Sequence, residues 1–197
     1  MAKIKVLSEE DAERMLKVIT GNPKTETSRF LSARNTLIFL LMYDQGLRIN
    51  EVCQLDISDL ELNGIARQHL SIRAETTKTG YARAIPLTSR TIAAIQKFLN
   101  DFWSEQPFCS EDPAFTSFWT KHRLEPRSVQ RFYVAVSMAL FNHRVHPHML
   151  RHSFATRLMR VCNIRVVQQL LGHRSLNSTQ VYTHPNSDDL RKAIDSL

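Results

Sequence analysis

The stretch over about residues 28–45 constrains the fold most. Ala33, Leu37, Ile38, Leu40, Leu41 and Met42 crowd into it at positions that leave little of a helix polar. A helix with one apolar stripe can lie on a surface. A helix apolar around most of its circumference has to be surrounded. The reading is a buried core helix, with Gly46 as its C-terminal stop.

The neighbouring segments supply what surrounds it. Ser8-Glu9-Glu10-Asp11 caps a helix carrying Ala12, Met15, Leu16 and Ile19 at helical spacing, which Gly21-Asn22-Pro23 ends. A third helix begins near Ile49 with Val52 and Leu55. From His69 the period changes to two. Residues 69–74 and 82–87 alternate around turn-like Thr77-Lys78-Thr79-Gly80, which predicts a β-hairpin with Lys78 near its tip. Thr88-Ser89-Arg90-Thr91 caps a helix running to about Phe102, and residues 104–126, with Pro107, Pro113 and Pro126, are loop-rich. Helices follow over 128–141, 148–161, 164–171 and 178–182, with a helical tail over 187–197. The expected class is mainly α with a small antiparallel β-sheet (α+β), one domain over residues 1–197.

Charge narrows the partners. Lys plus Arg number 26 against 19 Asp plus Glu, a net charge of +7, which suits a polyanion such as nucleic acid or an acidic membrane. A basic protein with a solvated surface fits as well. Cys53, Cys109 and Cys162 have no metal-ligand spacing and read as free thiols of a reducing compartment. No apolar run approaches the ~18 residues that span a bilayer. The expected location is cytoplasmic, in a bacterium, an archaeon, a phage or a mobile element.

Singly, the polar candidates are unremarkable. Arg48 suits a surface ion pair, Lys78 a solvated turn, His148 and Arg151 a solvent-facing helical stripe, His173 a helix cap, and Tyr182 a core aromatic. Together they suit a phosphodiester. Two guanidinium forks grip non-bridging oxygens and stabilise the charge of a pentacoordinate transition state. A tyrosine hydroxyl can attack phosphorus, given a base or cation to ionise it. A histidine can be that base or orient the phosphate. A lysine can protonate the leaving 5′ oxygen. No acidic cluster has the spacing of a two-metal nuclease, so neither metal nor cofactor is called for.

Gly46-Leu47-Arg48-Ile49-Asn50-Glu51-Val52, Thr77-Lys78-Thr79-Gly80 with Ile85-Pro86-Leu87, residues 148–156, Leu170-Leu171-Gly172-His173 and Tyr182-Thr183-His184 occur in that order. In these boxes the chain resembles the tyrosine recombinase (phage integrase) family, above all the catalytic domains of Xer-type recombinases and integrases. The likeness runs from Leu7 to about Ile194.

The resemblance implies a phosphate clamp of Arg48 and Arg151. It makes Lys78 the general acid, His148 the base or phosphate orienter, and His173 the last cationic position before the nucleophile. Tyr182 would hold DNA through a 3′-phosphotyrosyl link, which another strand's 5′ hydroxyl reverses without ATP. Glu51 would hold the turn of the first arginine, and Thr77, Thr79, Arg144 and Arg174 would lie near DNA. Arg157 and Arg165 either face phosphates or are solvated.

Two departures stand out. The turn at 159–164 lacks the family's frequent glycine, and Asn163 is expected to take the left-handed conformation in its place. The family's N-terminal core-binding domain is absent from this sequence, so the chain is a fragment or a minimal form and should bind DNA weakly. The expected partner is a double-stranded DNA recombination site, on which a homo-oligomer (a tetramer) assembles through the C-terminal tail, with no membrane involved. A type IB topoisomerase-like enzyme and an inactive DNA-binding remnant are the alternatives.

Overall fold

The computed structural model describes residues 6–77, 80, 82–103, 109, 111–173, 175 and 179. Lys78, Thr79, Arg174, Tyr182 and the expected tail over 187–197 lie outside the described residues.

Helix α1 (Glu9–Thr20) starts where Ser8 Oγ accepts the Asp11 N–H at 3.0 Å, and it buries Ala12, Met15 and Ile19. Helix α2 (Glu26–Tyr43) is the central element. Leu37 through Tyr43 are buried without a break, which only a helix enclosed on all sides allows. Helix α2 begins two residues before the expected start because Thr25 caps it. Thr25 Oγ1 accepts the Ser28 N–H at 3.2 Å, and Ser28 Oγ accepts the Thr25 N–H at 3.0 Å. Gly46, with φ +67°, reverses the chain.

Two short helices follow, α3 (Ile49–Cys53) and α4 (Ile57–Leu60). Strands β1 (Glu61–Leu62) and β2 (Ile65–Ala66) form a hairpin absent from the sequence reading. Its turn is Asn63-Gly64, both at positive φ, the dipeptide that a two-residue hairpin favours. The expected hairpin is present as β3 (His69–Ile72) against β4 (Arg83–Pro86), antiparallel, with Leu70 opposite Ile85 and Ile72 opposite Arg83.

Helix α5 (Ser89–Phe98) passes into a wider π-helical turn over Leu99–Trp103. Thr88 occupies its cap position without capping; its hydroxyl pairs with that of Thr91 at 2.9 Å. Helices α6 (Pro126–Phe141), α7 (Pro147–Met159) and α8 (Ile164–Leu171) complete the described fold, and α1, α5 and α7 pack on α2. The main core is continuous from Leu7 to Leu150; a small cluster of Phe154, Ala155, Val167 and Leu171 joins α7 to α8.

Asn163 corrects one expectation. It is extended (φ −71°, ψ 159°), not left-handed. Its side-chain oxygen accepts the N–H groups of Arg165 and Val166 at 3.0 and 3.1 Å, so it caps α8, a role that glycine lacks the side chain to fill. No described helix is long and apolar enough to cross a membrane.

Candidate active site

Glu51 organises the site. Its side chain is 1% exposed on α3. One oxygen accepts the backbone N–H of Arg48 at 2.8 Å, and the other accepts Arg48 Nη1 at 2.9 Å. The carboxylate thus closes the turn at the start of α3 and holds the Arg48 head beside it. From the opposite side Arg83 grips both oxygens, at 3.0 and 2.7 Å. Burial by itself pushes the Glu51 carboxyl up. The hydrogen bonds and charge of Arg83, the Arg48 N–H and the charge of Arg151 outweigh it and hold the group below its ordinary value.

Arg151 reaches the same place from α7. Its side chain is 5% exposed, with Nη1 3.9 Å from Glu51. Nη1 donates to the Gly46 carbonyl, and Nη2 donates to Leu171 O at 2.6 Å. Arg151 therefore ties the turn before α3 to the end of α8, and both turns need glycine. A Cβ on Gly46 would fall 2.3 Å from the Phe154 ring. Gly172, at φ +61°, lies so close over Arg83 that a Cβ would meet its Nη1 at 3.0 Å.

His173 follows Gly172 and turns toward Arg151, with Nε2 3.4 Å from Nη2. A guanidinium only donates, so Nε2 is the unprotonated nitrogen and Nδ1 carries the proton. Nδ1–H then donates to Thr179 Oγ1 at 2.9 Å. Burial, and after it the charges of Arg151, Arg48, Arg83 and His152, push the His173 pKa down to about 4. This shift favours the neutral imidazole at physiological pH.

This shift has a measurable consequence. The unfolded chain takes up a proton on His173 near the ordinary 6.5, the folded chain only near 4. Between those values the unfolded state holds more protons, so stability is lost as pH falls from about 6.5 through about 4. His148 and His152 shift in the same direction. Tm is expected to decline across that window, and His173→Gln to flatten the decline. A slope untouched by the substitution would contradict the assignment.

His148 sits in the first turn of α7, exposed at the surface, one turn from His152, with the ring centroids 6.4 Å apart. Partial desolvation, then the charges of Arg151, Arg48 and His146, lower its pKa, so it is a proton acceptor at neutral pH. Arg144 is exposed in the α6–α7 connection. Thr77 is buried, and its hydroxyl donates to Ala74 O at 2.9 Å, closing the turn before the hairpin tip. Arg157 is partly exposed and engaged within the chain. It donates to Tyr43 O, lies 3.9 Å over the Tyr43 ring and pairs with Asp44. A hollow of about 730 Å³ opens beside His173, between β4 and α8, lined by Arg83, Arg165, Gln168 and Gln169 among others.

Of the residues expected in the site, Arg48 and Arg151 converge on Glu51, His173 lies against Arg151, and His148 is at the surface within reach of the charges of both arginines. Arg83 was missed. The signal was present: in the alternation Arg83-Ala84-Ile85-Pro86-Leu87 the arginine shares its parity with Ile85 and Leu87. A charge on the apolar face of a strand requires a buried partner.

The chain is 33% identical over 192 residues to the tyrosine recombinase XerA of Pyrococcus furiosus, covering 97% of this chain and 61% of that protein. It is 37% identical over 170 residues to the tyrosine recombinase XerC of Proteus mirabilis, covering 84% of this chain and 52% of that protein. The chain thus spans between half and two thirds of the length of these curated relatives. Among solved structures, XerA recombinase superposes with a TM-score of 0.76 at 28% identity, over 100% of this chain and 66% of that one. XerH site-specific recombinase bound to difH substrate, a pre-cleavage complex, gives 0.75 at 26%, over 99% of this chain and 55% of that one. The model of the phage integrase family matches residues 5–188, nearly the whole sequence, and the chain belongs to that family.

Proposed function

We propose that this chain is the catalytic portion of a tyrosine site-specific recombinase, which cleaves and rejoins DNA through a 3′-phosphotyrosyl intermediate. The observation that carries the reading is the convergence of Arg48 and Arg151, from different ends of the fold, on one buried carboxylate beside a neutral histidine. Such a pair of fixed guanidiniums is complementary to a phosphodiester whose charge grows in the transition state. The recombinase relatives favour this over a topoisomerase or an inactive remnant.

In this account Arg48 and Arg151 bind the non-bridging oxygens. His148, neutral at physiological pH, accepts a proton during attack or orients the phosphate. His173 stands against the clamp as a neutral hydrogen-bonding group. Tyr182 attacks phosphorus, and Lys78 protonates the departing 5′ oxygen. The ester retains the energy of the broken bond, so a second 5′ hydroxyl can displace the tyrosine and exchange strands. The partner is a double-stranded recombination site, read by an oligomer, a tetramer, joined through the tail over 187–197. Arg144, Arg174 and Thr79 lie along the DNA, while Thr77, buried with its hydroxyl on Ala74 O, braces the turn before Lys78. The protein works in the cytoplasm.

The test is covalent trapping on duplex DNA with a nick near the exchange point, drawn from sequences flanking the source element. The wild type is expected to give an SDS-resistant protein–DNA band in EDTA. Arg151→Lys should lower its rate about 10²–10³-fold, as loss of one pre-aligned donor to a developing oxyanion does. A band equally strong with Arg151→Lys would contradict the clamp.

A further inference from the structure

Arg83 has no place in the mechanism above, yet it joins Glu51 to the end of α8. From β4 it binds both oxygens of Glu51. Its Nε donates to Leu170 O at 2.9 Å, at the end of α8. Gly172, the residue before His173, passes directly over it.

The charge balance gives this contact a purpose. Glu51 brings one negative charge among three guanidiniums: Arg83 in a bidentate grip, Arg48 at 2.9 Å and Arg151 at 3.9 Å. A buried carboxylate facing only Arg48 and Arg151 would draw both forks onto itself and cancel part of their charge. Arg83 is held inside the fold, 5% exposed, and takes both oxygens. We infer that Arg83 is a positioning residue of the phosphate clamp. By saturating Glu51 it keeps the charge of Arg48 and Arg151 directed at phosphate. The inference rests on the clamp reading of the preceding section.

A purely structural role and this one predict different couplings. If Arg83 and Glu51 only brace the fold, losing both is at least as damaging as losing one. If Arg83 acts by neutralising Glu51, removing the carboxylate as well relieves the defect. The experiment uses the full chain as wild type, Arg83→Gln, Glu51→Gln and the double variant. The probe is inorganic phosphate, titrated while the Nε–H resonances of Arg48 and Arg151 are followed, with circular dichroism reporting the fold.

Arg83→Gln should weaken phosphate binding about tenfold, the effect of one uncompensated charge at close range. The double variant should return to within about threefold of wild type, since the clamp again faces no bare carboxylate. A double variant no better than Arg83→Gln, or an Arg83→Gln that binds like wild type, overturns the inference. Should Arg83→Gln not fold, Arg83→Lys keeps the charge without the fork. It is expected within about threefold of wild type, and a tenfold loss overturns the inference. A wild type whose two resonances ignore phosphate sinks the clamp and the inference together. The same proteins run in the trapping assay separate the two ideas. Phosphate binding in the predicted order with no trapped DNA defeats the enzymatic reading and leaves the charge assignment standing. Trapping by wild type with no recovery in the double variant defeats the assignment alone.

Discussion

Replacing Glu51 by alanine is expected to lower stability by about 3–5 kcal/mol, because it strands a buried guanidinium with no counter-charge. Arg83, 5% exposed, would lose both of its carboxylate bonds, and Arg48 would lose the acceptor of its backbone N–H as well as its side-chain partner. Deleting one member of a buried pair costs far more than the pair contributes, since desolvation of the survivor is no longer offset. Urea unfolding at neutral pH measures the loss. A change below about 1 kcal/mol, the range of an exposed ion pair, would mean that Arg83 finds water or another acceptor and that the cluster is looser than described. Replacing Glu51 and Arg83 together by glutamine should cost less than Glu51→Ala, because no charge is then left buried alone.

Gly46→Ala should have an effect of similar size for a different reason. The residue sits at φ +67°, where a Cβ is strained by about 1–2 kcal/mol. That Cβ would also lie 2.3 Å from the Phe154 ring, a distance that forces the ring or the turn to move. Overpacking of this kind adds about 1–3 kcal/mol. The movement reaches the site, since the Gly46 carbonyl accepts Arg151 and Arg48 is two residues on. Loss of stability and loss of phosphate binding should therefore appear together. Gly64→Ala is the matched control. It too has positive φ, +80°, but a Cβ there meets nothing within 4 Å, so only the backbone strain applies. Comparable losses from the two substitutions, read by thermal melting, would contradict the role given to Phe154.

The parts of this fold legible in the sequence are those written as periodicity. Residues 37–43 are buried on all sides because they are apolar on all sides. The β3–β4 register follows from an alternation visible in the residues themselves. Arg48, His148, Arg151 and His173 were legible as residue types in an order, and the fold brings the two arginines to one carboxylate with His173 against Arg151. What periodicity does not carry is long-range pairing. Arg83 and Glu51 stand 32 residues apart, and nothing local to either names the other. The downward shift of His173 was hidden for the same reason: burial, and after it the charges of Arg151, Arg48 and Arg83, arise only on folding. At Asn163 the expected left-handed conformation gave way to the extended one, because the N–H groups of the α8 first turn are unsatisfied without a cap. The Asn63-Gly64 turn was legible and passed over, because the strands on either side are only two residues long.

The most direct test of the central claim is to identify the atom that carries the DNA. Protein trapped on a nicked duplex would be digested with protease and nuclease, and the peptide bearing residual nucleotide sequenced by mass spectrometry. The account predicts a nucleotide joined through its 3′ phosphate to the Tyr182 oxygen, and no adduct in Tyr182→Phe. An adduct on any other residue, or a 5′-phosphate linkage, would contradict it.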